Sequence, residues 1–353
     1  MKRLSLTLLT LISILFLQSC TTENILYTEP QGAYENGFFV INEGPFGNGN
    51  GSITYIDKNF NNVAQNVYQN TNNEVLGNVV QSMEMYEDKA YIVVNNSHKI
   101  VITNRYTMEK IGSIETGLNN PRYMVTYNGK GYVSNWGSPF DATDDYIAVI
   151  DLATNEITQN IPVGEGPEKM AIVGDKLFVA LKGGWNFNNK IAVIETSGNT
   201  VQTQIEVAYV PNSLQVVAGN LYVLSAGIPS WSWTLPESAG QIAKIDAGSL
   251  SVAQTWDFAT EEHPDFLSYD GENLLYYLNA NVYKWNGTDT LPSTAVNGLG
   301  GFYYGMSARN GLLFAMDAGN FASEGTLKVF YLANNTQIQS LPTGIIPNSV
   351  VFN

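Results

Sequence analysis

Two histidines are the side chains of this chain best suited to ligate a metal. His98 lies in the segment "NNSH" and His263 in "EEHPD", and an imidazole could ligate cobalt or haem iron. No second ligand stands at a fixed spacing from either histidine. We therefore interpret both as polar loop residues that a ligand could contact, and we predict no metal site of the protein's own.

Two groups of carboxylates could serve hydrolysis or hold calcium. They are Asp141, Asp144 and Asp145, and Glu261, Glu262 and Asp265. Calcium-binding spacings are missing around both groups, which favours a solvated acidic rim. The GxSxG, Walker and zinc motifs are also missing, and the glycine-rich "NEGPFGNGNG" (42–51) lacks the strand–loop–helix context of a phosphate cradle. We predict that the protein is not an enzyme, with no catalytic residues and no cofactor.

Aromatic side chains point to a different chemistry, the capture of a bulky ligand. Trp136 and Phe140 lie in "NWGSPFDATDD" (135–145), directly after the strand-like segment "KGYVSN" (130–135). Other predicted loops that follow strand-like segments contain further aromatic residues, namely Phe46, Trp185, Phe187, Trp231, Trp233 and Phe321. Loops normally lie on the surface, so large rings in loops need a reason. Aromatic rings supply a large contact area with polar edges at little entropic cost, which suits a binding surface.

A repeated unit positions these segments. It is clearest in residues 119–135, 165–181 and 209–225, where a proline is followed by a polar turn and then by an aromatic residue. The proline and the aromatic residue are 11 positions apart in all three copies, at Pro121 and Tyr132, Pro167 and Phe178, and Pro211 and Tyr222. Two strands joined by a tight turn explain this constancy, because the turn sets the register.

Seven such units follow one another at intervals of roughly 45 residues, each with four predicted strands, and this pattern is typical of a β-propeller. The chain ends in "GIIPNSVVFN" (344–353), which reads as a first strand, whereas the first unit opens with the second strand "GFFVIN" (37–42). We therefore predict an all-β, seven-bladed β-propeller of four-stranded blades. Its ring is closed by the C-terminal strand joining the first blade, because an open array would leave exposed edges.

This topology predicts a ligand-binding face. The loops between second and third strands and the connections to the next blade lie on the same side of a propeller, and the opposite hairpins, such as "NGK" and "GDK", are short and polar. The predicted ligand-binding residues are Phe46, His98, Trp136, Phe140, Trp185, Phe187, Tyr209, Trp231, Trp233, His263, Tyr303, Tyr304 and Phe321. An exposed apolar patch of this kind usually marks a binding site. The alternative is that the rings pack on each other and stabilise long loops.

The segment "KGYVSN" resembles the signature of the YVTN-repeat, or YncE-like, family of seven-bladed propellers. The resemblance covers residues 37–353 and implies the same fold. It implies little about function, because propellers host many activities.

The first twenty residues resemble a bacterial lipoprotein signal. Lys2 and Arg3 precede a mostly apolar run to Leu17, which is too short to span a bilayer. The segment "LQSC" (17–20) resembles a lipobox, the motif that lipoprotein signal peptidase recognises, and it ends in Cys20, the single cysteine of the chain. We predict a signal peptide over 1–19, a lipidated Cys20 with a tether over 20–36, and the propeller over 37–353. A chance cysteine in an ordinary signal peptide is the alternative.

The net charge of −15 becomes more negative when the two N-terminal basic residues are removed. An acidic exterior argues against nucleic acid and anionic lipid as ligands. We therefore expect no nucleic-acid partner.

The lipobox, the blade pattern and the opening "FFVINEGPFGNGNGSITYID" (38–57) together resemble the BtuG-like cobalamin-binding propellers, a group of surface lipoproteins that partner TonB-dependent transporters. The resemblance implies capture of a bulky ligand, cobalamin first, and its delivery to an outer-membrane transporter. It also implies a lipid anchor in the outer membrane, at the cell surface or on the periplasmic side. Haem, a siderophore or a glycan remain alternative ligands. A protein- or glycan-binding scaffold and a hydrolase remain alternative functions.

Overall fold

The computed structural model describes residues 31–47 and 49–353. The predicted signal peptide, the predicted lipidation site at Cys20 and the tether as far as residue 30 lie outside the described residues. Residues 31–353 form a compact unit. No helix within the described part of the chain is both long enough and apolar enough to cross a membrane.

Strands make up most of the described chain. In chain order they are β1 (Gly37–Asn42), β2 (Ser52–Asp57), β3 (Val63–Ala64), β4 (Val80–Tyr86), β5 (Lys89–Val94), β6 (Lys99–Asn104), β7 (Lys110–Ile114), β8 (Pro121–Tyr127), β9 (Lys130–Asn135), β10 (Tyr146–Asp151), β11 (Glu156–Pro162), β12 (Pro167–Val173), β13 (Lys176–Leu181), β14 (Lys190–Glu195), β15 (Thr200–Glu206), β16 (Pro211–Val217), β17 (Asn220–Ser225), β18 (Gln241–Asp246), β19 (Ser251–Asp257), β20 (Asp265–Tyr269), β21 (Leu274–Leu278), β22 (Asn281–Trp285), β23 (Gly305–Arg309), β24 (Leu312–Asp317), β25 (Glu324–Tyr331), β26 (Thr336–Ile345) and β27 (Pro347–Phe352). A short helix, α1 (Val67–Asn72), lies between β3 and β4.

These strands form seven antiparallel sheets, which are the seven blades. The first sheet has the order β27-β1-β2-β3, so the C-terminal strand is its innermost strand and closes the ring. Phe39 faces Val351 across this junction, and Val40 faces Val350. The predicted fold, an all-β seven-bladed propeller closed by the C-terminal strand, is confirmed.

The sixth blade differs from the predicted pattern in one detail. Within the described residues its sheet contains only β20, β21 and β22, and residues 286–304 follow as a connection without a fourth strand. This connection holds Pro292 and four glycines, which interrupt or weaken strand pairing. Trp285 ends β22, and its indole N–H donates to the carbonyl of Asp289 at 2.9 Å.

The hydrophobic core lies between adjacent blades. Tyr91 of the second blade packs with Val133 and Ile150 of the third, and Tyr132 of the third packs with Leu177 and Val179 of the fourth. The aromatic residue that marks each repeat is buried in all seven units, at Phe39, Tyr91, Tyr132, Phe178, Tyr222, Tyr276 and Phe314. Each ring therefore joins two sheets, which explains why every repeat keeps an aromatic residue at the centre of its second strand.

Backbone hydrogen bonds join the two sets of connections on one side of the ring. The Trp136 N–H donates to the carbonyl of Asn120, and the Gly227 N–H donates to the carbonyl of Tyr209. In each pair, the donor follows a second strand and the acceptor precedes a first strand. The aromatic loops thus share one side with the blade connections, and we call this side the aromatic face.

Candidate ligand-binding face

A ring of polar side chains surrounds the propeller axis at the aromatic face, and we call it the central ring. It consists of Gln81, Arg122, Glu168, Asn212, Asp265 and Asn348. Each residue stands at the start of an innermost strand, and all except Gln81 directly follow a proline. Because innermost strands line the axis, the repeat places these side chains at equivalent positions. Most of them line a central cavity of about 600 Å³.

The guanidinium of Arg122 contacts three neighbouring side chains. Its guanidinium donates to both carboxylate oxygens of Glu168, at 2.9 and 3.0 Å, and to the side-chain oxygen of Gln81 at 2.6 Å. The Trp136 ring covers the guanidinium, and its indole N–H donates to the carbonyl of Pro167 at 3.0 Å. Burial alone would raise the pKa of Glu168, but the charge and hydrogen bonds of Arg122 outweigh it and lower that pKa.

Glu43 forms a second buried group at the edge of the central cavity. The Tyr304 hydroxyl donates to one of its oxygens at 3.0 Å, and the Asn348 amide donates to the other at 2.9 Å. Burial raises the pKa of Glu43, although both hydrogen bonds oppose the shift. This carboxyl therefore holds a proton more readily than an exposed glutamate does.

Four predicted aromatic residues surround a cavity of about 490 Å³, which we call the aromatic cavity. They are Trp185, Phe187, Trp231 and Trp233. Trp231 is 69% exposed and Trp233 is 96% exposed, so their rings present apolar area to solvent. Phe187 and Trp231 face each other with ring centroids 6.1 Å apart. Lys182, Asn212, His263 and Asp265 supply the polar groups of this cavity.

A second cavity, of about 550 Å³, lies beside the first. Phe46, His98, Trp136 and Tyr304 line it. Trp185 lines both cavities and makes an edge contact with Trp136, with ring centroids 6.1 Å apart. The structure thus brings nine of the thirteen predicted residues to two adjoining cavities.

The remaining predicted residues lie elsewhere on the face. Phe140 is 96% exposed and borders a small cavity beside Trp136 and Trp185. Tyr303 is buried, with its hydroxyl donating to the carbonyls of Leu299 and Gly300, although it lines the central cavity. Phe321 packs against Tyr304 instead of lining a described cavity, and Tyr209 is half-buried.

Both histidines are engaged by the protein. The Nδ1 atom of His98 accepts a hydrogen bond from the Asn120 N–H at 3.0 Å. Nδ1 of His263 lies 2.8 Å from the carbonyl of Ala226, and Nε2 lies 3.3 Å from Glu237. Each histidine therefore connects two loops by hydrogen bonds and also lines a cavity. Among residues 31–47 and 49–353, no cluster of three metal-ligating side chains is found.

The interpretation of the carboxylates as a solvated rim is wrong for Asp145 and Asp265. Asp145 is buried, and one of its oxygens accepts the Gly166 N–H at 2.6 Å. Burial raises the pKa of Asp145 to about 7. Asp265 turns toward the axis and accepts a hydrogen bond from the Asn212 amide. The physical reason is that both carboxylates find backbone or amide donors inside the face.

Sequence reasoning missed the charged residues near the axis, namely Arg122, Glu168, Lys169 and Lys182, and the exposed ring of Phe302. A usable signal exists for Arg122 and Glu168, because they directly follow the repeat prolines at positions 121 and 167, and Lys169 is the next residue. A polar residue directly after the proline of a first strand lies at the mouth of the axis. No comparable signal marks Lys182 or Phe302.

The comparisons with known proteins describe family and fold. The family model described as "Domain of unknown function (DUF5074)" matches residues 36–259, which span the first five blades except strand β27 of the first. No curated protein matches the chain. Similar solved structures include the computationally designed Ika8 protein (9% identity, 88% of this chain and 88% of that chain, TM-score 0.57), Kuenenia stuttgartiensis hydrazine synthase (16%, 78% and 91%, 0.53) and the dihydro-heme d1 dehydrogenase NirN in complex with DHE (13%, 92% and 77%, 0.51). At such identities these likenesses describe the fold alone.

Proposed function

The chain belongs to the family described as domain of unknown function (DUF5074), and we propose that it is a non-catalytic binding protein that captures a bulky, partly apolar small molecule on its aromatic face. Cobalamin is the favoured ligand. The observation that carries this proposal is the pair of adjoining cavities that share Trp185 and expose Trp231 and Trp233. Concave, mostly apolar sites with a few convergent polar groups are the usual form of a ligand site.

The size and lining of the site suit a large ligand with polar edges. The two cavities measure about 490 and 550 Å³, which is within the range of sites for drug-sized molecules. Indole faces would cover apolar surface of the ligand, and side-chain amides such as those of Asn96, Asn119 and Asn186 would meet its polar rim. Cobalamin combines both kinds of surface, and the resemblance to the BtuG-like group also supports it.

The state of the charged residues supports binding over hydrolysis. Retaining or inverting hydrolysis needs two carboxyl groups facing one bond. In this face, Glu168 is held by Arg122, Asp145 by Gly166, and Asp265 by Asn212. These carboxylates are committed to structural partners in three different blades.

A scaffold that binds a protein or a glycan is the second candidate. Its supporting observation is the nearly complete exposure of Phe140 at the tip of the loop before β10, beside rather than inside the larger cavities. A flat partner could contact this tip together with Trp233. Capture of a small molecule accounts for more of the aromatic face, because it also uses the shared ring of Trp185.

The route of the ligand follows from the predicted anchor. We propose that Cys20 is diacylated, that the propeller is tethered to the outer membrane, and that it passes its ligand to a TonB-dependent transporter. Two acyl chains are enough for stable membrane attachment. Metabolic labelling of cells with palmitate should mark the wild-type chain and not the Cys20→Ala variant. Labelling that persists in the variant would remove the anchor from the proposal.

Equilibrium dialysis against cyanocobalamin tests the ligand. The full chain, purified in detergent, is dialysed with cyanocobalamin, haem or a glycan mixture, and the bound fraction of each is measured. Replacement of Trp231 and Trp233 by alanine should weaken cyanocobalamin binding by about tenfold or more, because tryptophans that become buried on binding are typical hot spots. The control is Tyr331→Ala, which should leave binding unchanged. Tyr331 is an exposed aromatic residue at the end of β25, on the side of the propeller opposite the aromatic face.

The same experiment separates the candidates. No binding of cyanocobalamin removes cobalamin as the ligand, and binding of haem or glycan alone would replace it. If no small molecule binds but outer-membrane proteins are retained by the wild-type chain and not by Phe140→Ala, the scaffold is favoured.

A further inference from the structure

Two lysines beside the central ring form no ion pair within the described residues, and the ammonium of Lys169 lies 5.8 Å from the centroid of the Tyr123 ring. Lys169 lies on β12, and Lys182 directly follows β13. Within the described residues, the ion pairs involve Lys110, Arg122, Lys176, His263 and Lys328, and neither Lys169 nor Lys182 takes part. Both lysines line the central cavity, where Arg122 and Glu168 form an ion pair.

The carboxyl groups around these lysines are held by other side chains. Arg122 and Glu168 neutralise each other through two hydrogen bonds. Glu43 accepts hydrogen bonds from Tyr304 and Asn348, and Asp265 accepts one from Asn212. Burial raises the pKa of both carboxyls, so they ionise less readily than exposed carboxyls do. Burial lowers the pKa of Lys169, although the charges of Glu168 and Asp265 oppose the shift. An anion placed here would offset the desolvation of Lys169.

Lys182 also connects this charge to the aromatic face. It lines the central cavity and the aromatic cavity, and Asp265 is the other charged residue shared by both. Lys182 belongs to the same loop as Trp185 and Phe187. A ligand whose apolar body lies against these rings can therefore place a polar group against the ammonium of Lys182.

Asn212 adds a hydrogen-bond acceptor at the same place. Its side chain is only 8% exposed and lines the aromatic cavity. Its amide N–H groups donate to Asp265 and to the carbonyl of Pro264, whereas its Oδ1 atom has no hydrogen-bond partner. A buried unpaired acceptor is unfavourable, so a hydroxyl or amide N–H of a ligand would be stabilised there.

From this arrangement we infer that the ligand of the aromatic face carries an oxyanion, a carboxylate or a phosphate, which Lys182 and Lys169 bind where the aromatic cavity meets the central cavity. The inference rests on the proposed capture function and specifies the chemical class of its ligand, an amphipathic molecule with an oxyanion group. A charge-assisted hydrogen bond from an ammonium to an oxyanion is stronger than a neutral one. The aromatic rings supply affinity, and the lysines select the charge.

Matched aromatic probes test this inference on the full chain in detergent. Binding of 2-naphthoate, 2-naphthyl phosphate and the neutral 2-naphthamide is measured by equilibrium dialysis, with detergent equal in both compartments. The wild type should bind an anionic probe about tenfold more tightly than 2-naphthamide, as expected for one charged hydrogen bond. Whichever of the two anions binds more tightly identifies the oxyanion as carboxylate or phosphate.

Three variants locate the effect. Lys182→Met keeps the apolar stem and should remove most of the preference for the anion while leaving 2-naphthamide binding unchanged. Lys176→Met, in the same blade but at the opposite end and paired with Asp175, is the control and should change neither. Asp265→Asn keeps the shape of the site and should strengthen anion binding, because it removes a competing carboxyl.

The outcomes separate the inference from the proposed function. Equal binding of the anionic and neutral probes overturns the oxyanion inference and leaves aromatic capture standing. Unchanged anion preference in both Lys182→Met and Asp265→Asn also overturns it. Failure of every probe to bind overturns the inference, whereas cobalamin capture is judged independently by dialysis of cyanocobalamin.

Discussion

The guanidinium carbon of Arg122 lies 4.1 Å from the centroid of the Trp136 ring. This contact joins a buried ion pair of the central ring to the aromatic loop over 135–145. An arginine at this distance from an indole is in the range of a cation–π interaction. The tryptophan at position 136 is therefore a positioned ring, held by Arg122 below it and by its own indole N–H bond to Pro167.

Removing Arg122 should strongly destabilise the fold. In Arg122→Met, the buried carboxylate of Glu168 loses both donors, and breaking a buried ion pair in this way costs about 3–5 kcal/mol. Denaturant unfolding measures the change in the free energy of unfolding. The double variant Arg122→Met, Glu168→Gln should recover much of the loss, because no charge is left unpaired. A loss below about 1 kcal/mol in the single variant would contradict the assignment.

Replacement by alanine should lower stability for a tryptophan of the core and ligand binding for a tryptophan of the aromatic face. Trp256 is buried, with its ring centroid 4.6 Å from that of Trp285, and its loss should cost about 3–5 kcal/mol of stability. Trp233 is exposed, so Trp233→Ala should change stability by less than about 0.5 kcal/mol while weakening ligand binding. Thermal unfolding and dialysis, run on the same preparations, check both outcomes. Equal destabilisation by the two variants would show that the exposed ring supports the fold instead.

The contribution of Glu84 to the free energy of unfolding should fall as pH rises through the acid range. Burial raises its pKa to about 7 in the folded protein, from an ordinary value of 4.5, although the Thr126 hydroxyl donates to it. Below the unfolded pKa both states are protonated, so the stabilisation is complete. Between the two pKa values the unfolded chain ionises first, and stability is lost as pH rises toward 7.

The variant Glu84→Gln isolates this contribution. It should match the wild type near pH 4 and exceed it at pH 8 by at least about 1.4 kcal/mol, which corresponds to a single pKa unit. Glu156→Gln, at an exposed position of β11, is the control and should show no such pH dependence. Parallel stability–pH curves for the wild type and Glu84→Gln would show that Glu84 ionises normally.

Closure of the ring should depend on β27. Deletion of residues 347–353 uncovers the edge of β1 and removes the bonds of Asn348 to Glu43 and to the Gln81 carbonyl. An uncovered strand edge promotes pairing between chains. The deletion variant should therefore unfold at a lower temperature and associate in a concentration-dependent way, as measured by calorimetry and sedimentation. Deletion of Asn353 alone tests whether the terminal residue, rather than the strand, is responsible.

Much of the fold could be predicted because the blade repeat is periodic along the chain. The 11-residue spacing from Pro121 to Tyr132, which recurs twice, indicated paired strands, and the burial of Tyr132 explains the aromatic position. The missing fourth strand of the sixth blade escaped prediction, although Pro292 and the four glycines of the connection over 286–304 are a local signal against strand pairing.

Prediction of the face was less complete, for a physical reason. The aromatic residues could be recognised because large rings in loops are unusual, and topology alone assigns those loops to one side. The sequence by itself therefore determined seven blades, a closing C-terminal strand and an aromatic face. Only the tertiary structure decided which charges pair, since Arg122 and Glu168 belong to different blades and meet only when the ring closes around its axis. That Lys169 and Lys182 form no ion pair in the described part of the chain follows from the same closure, because whether a charge is paired depends on distances in space and not on positions along the chain.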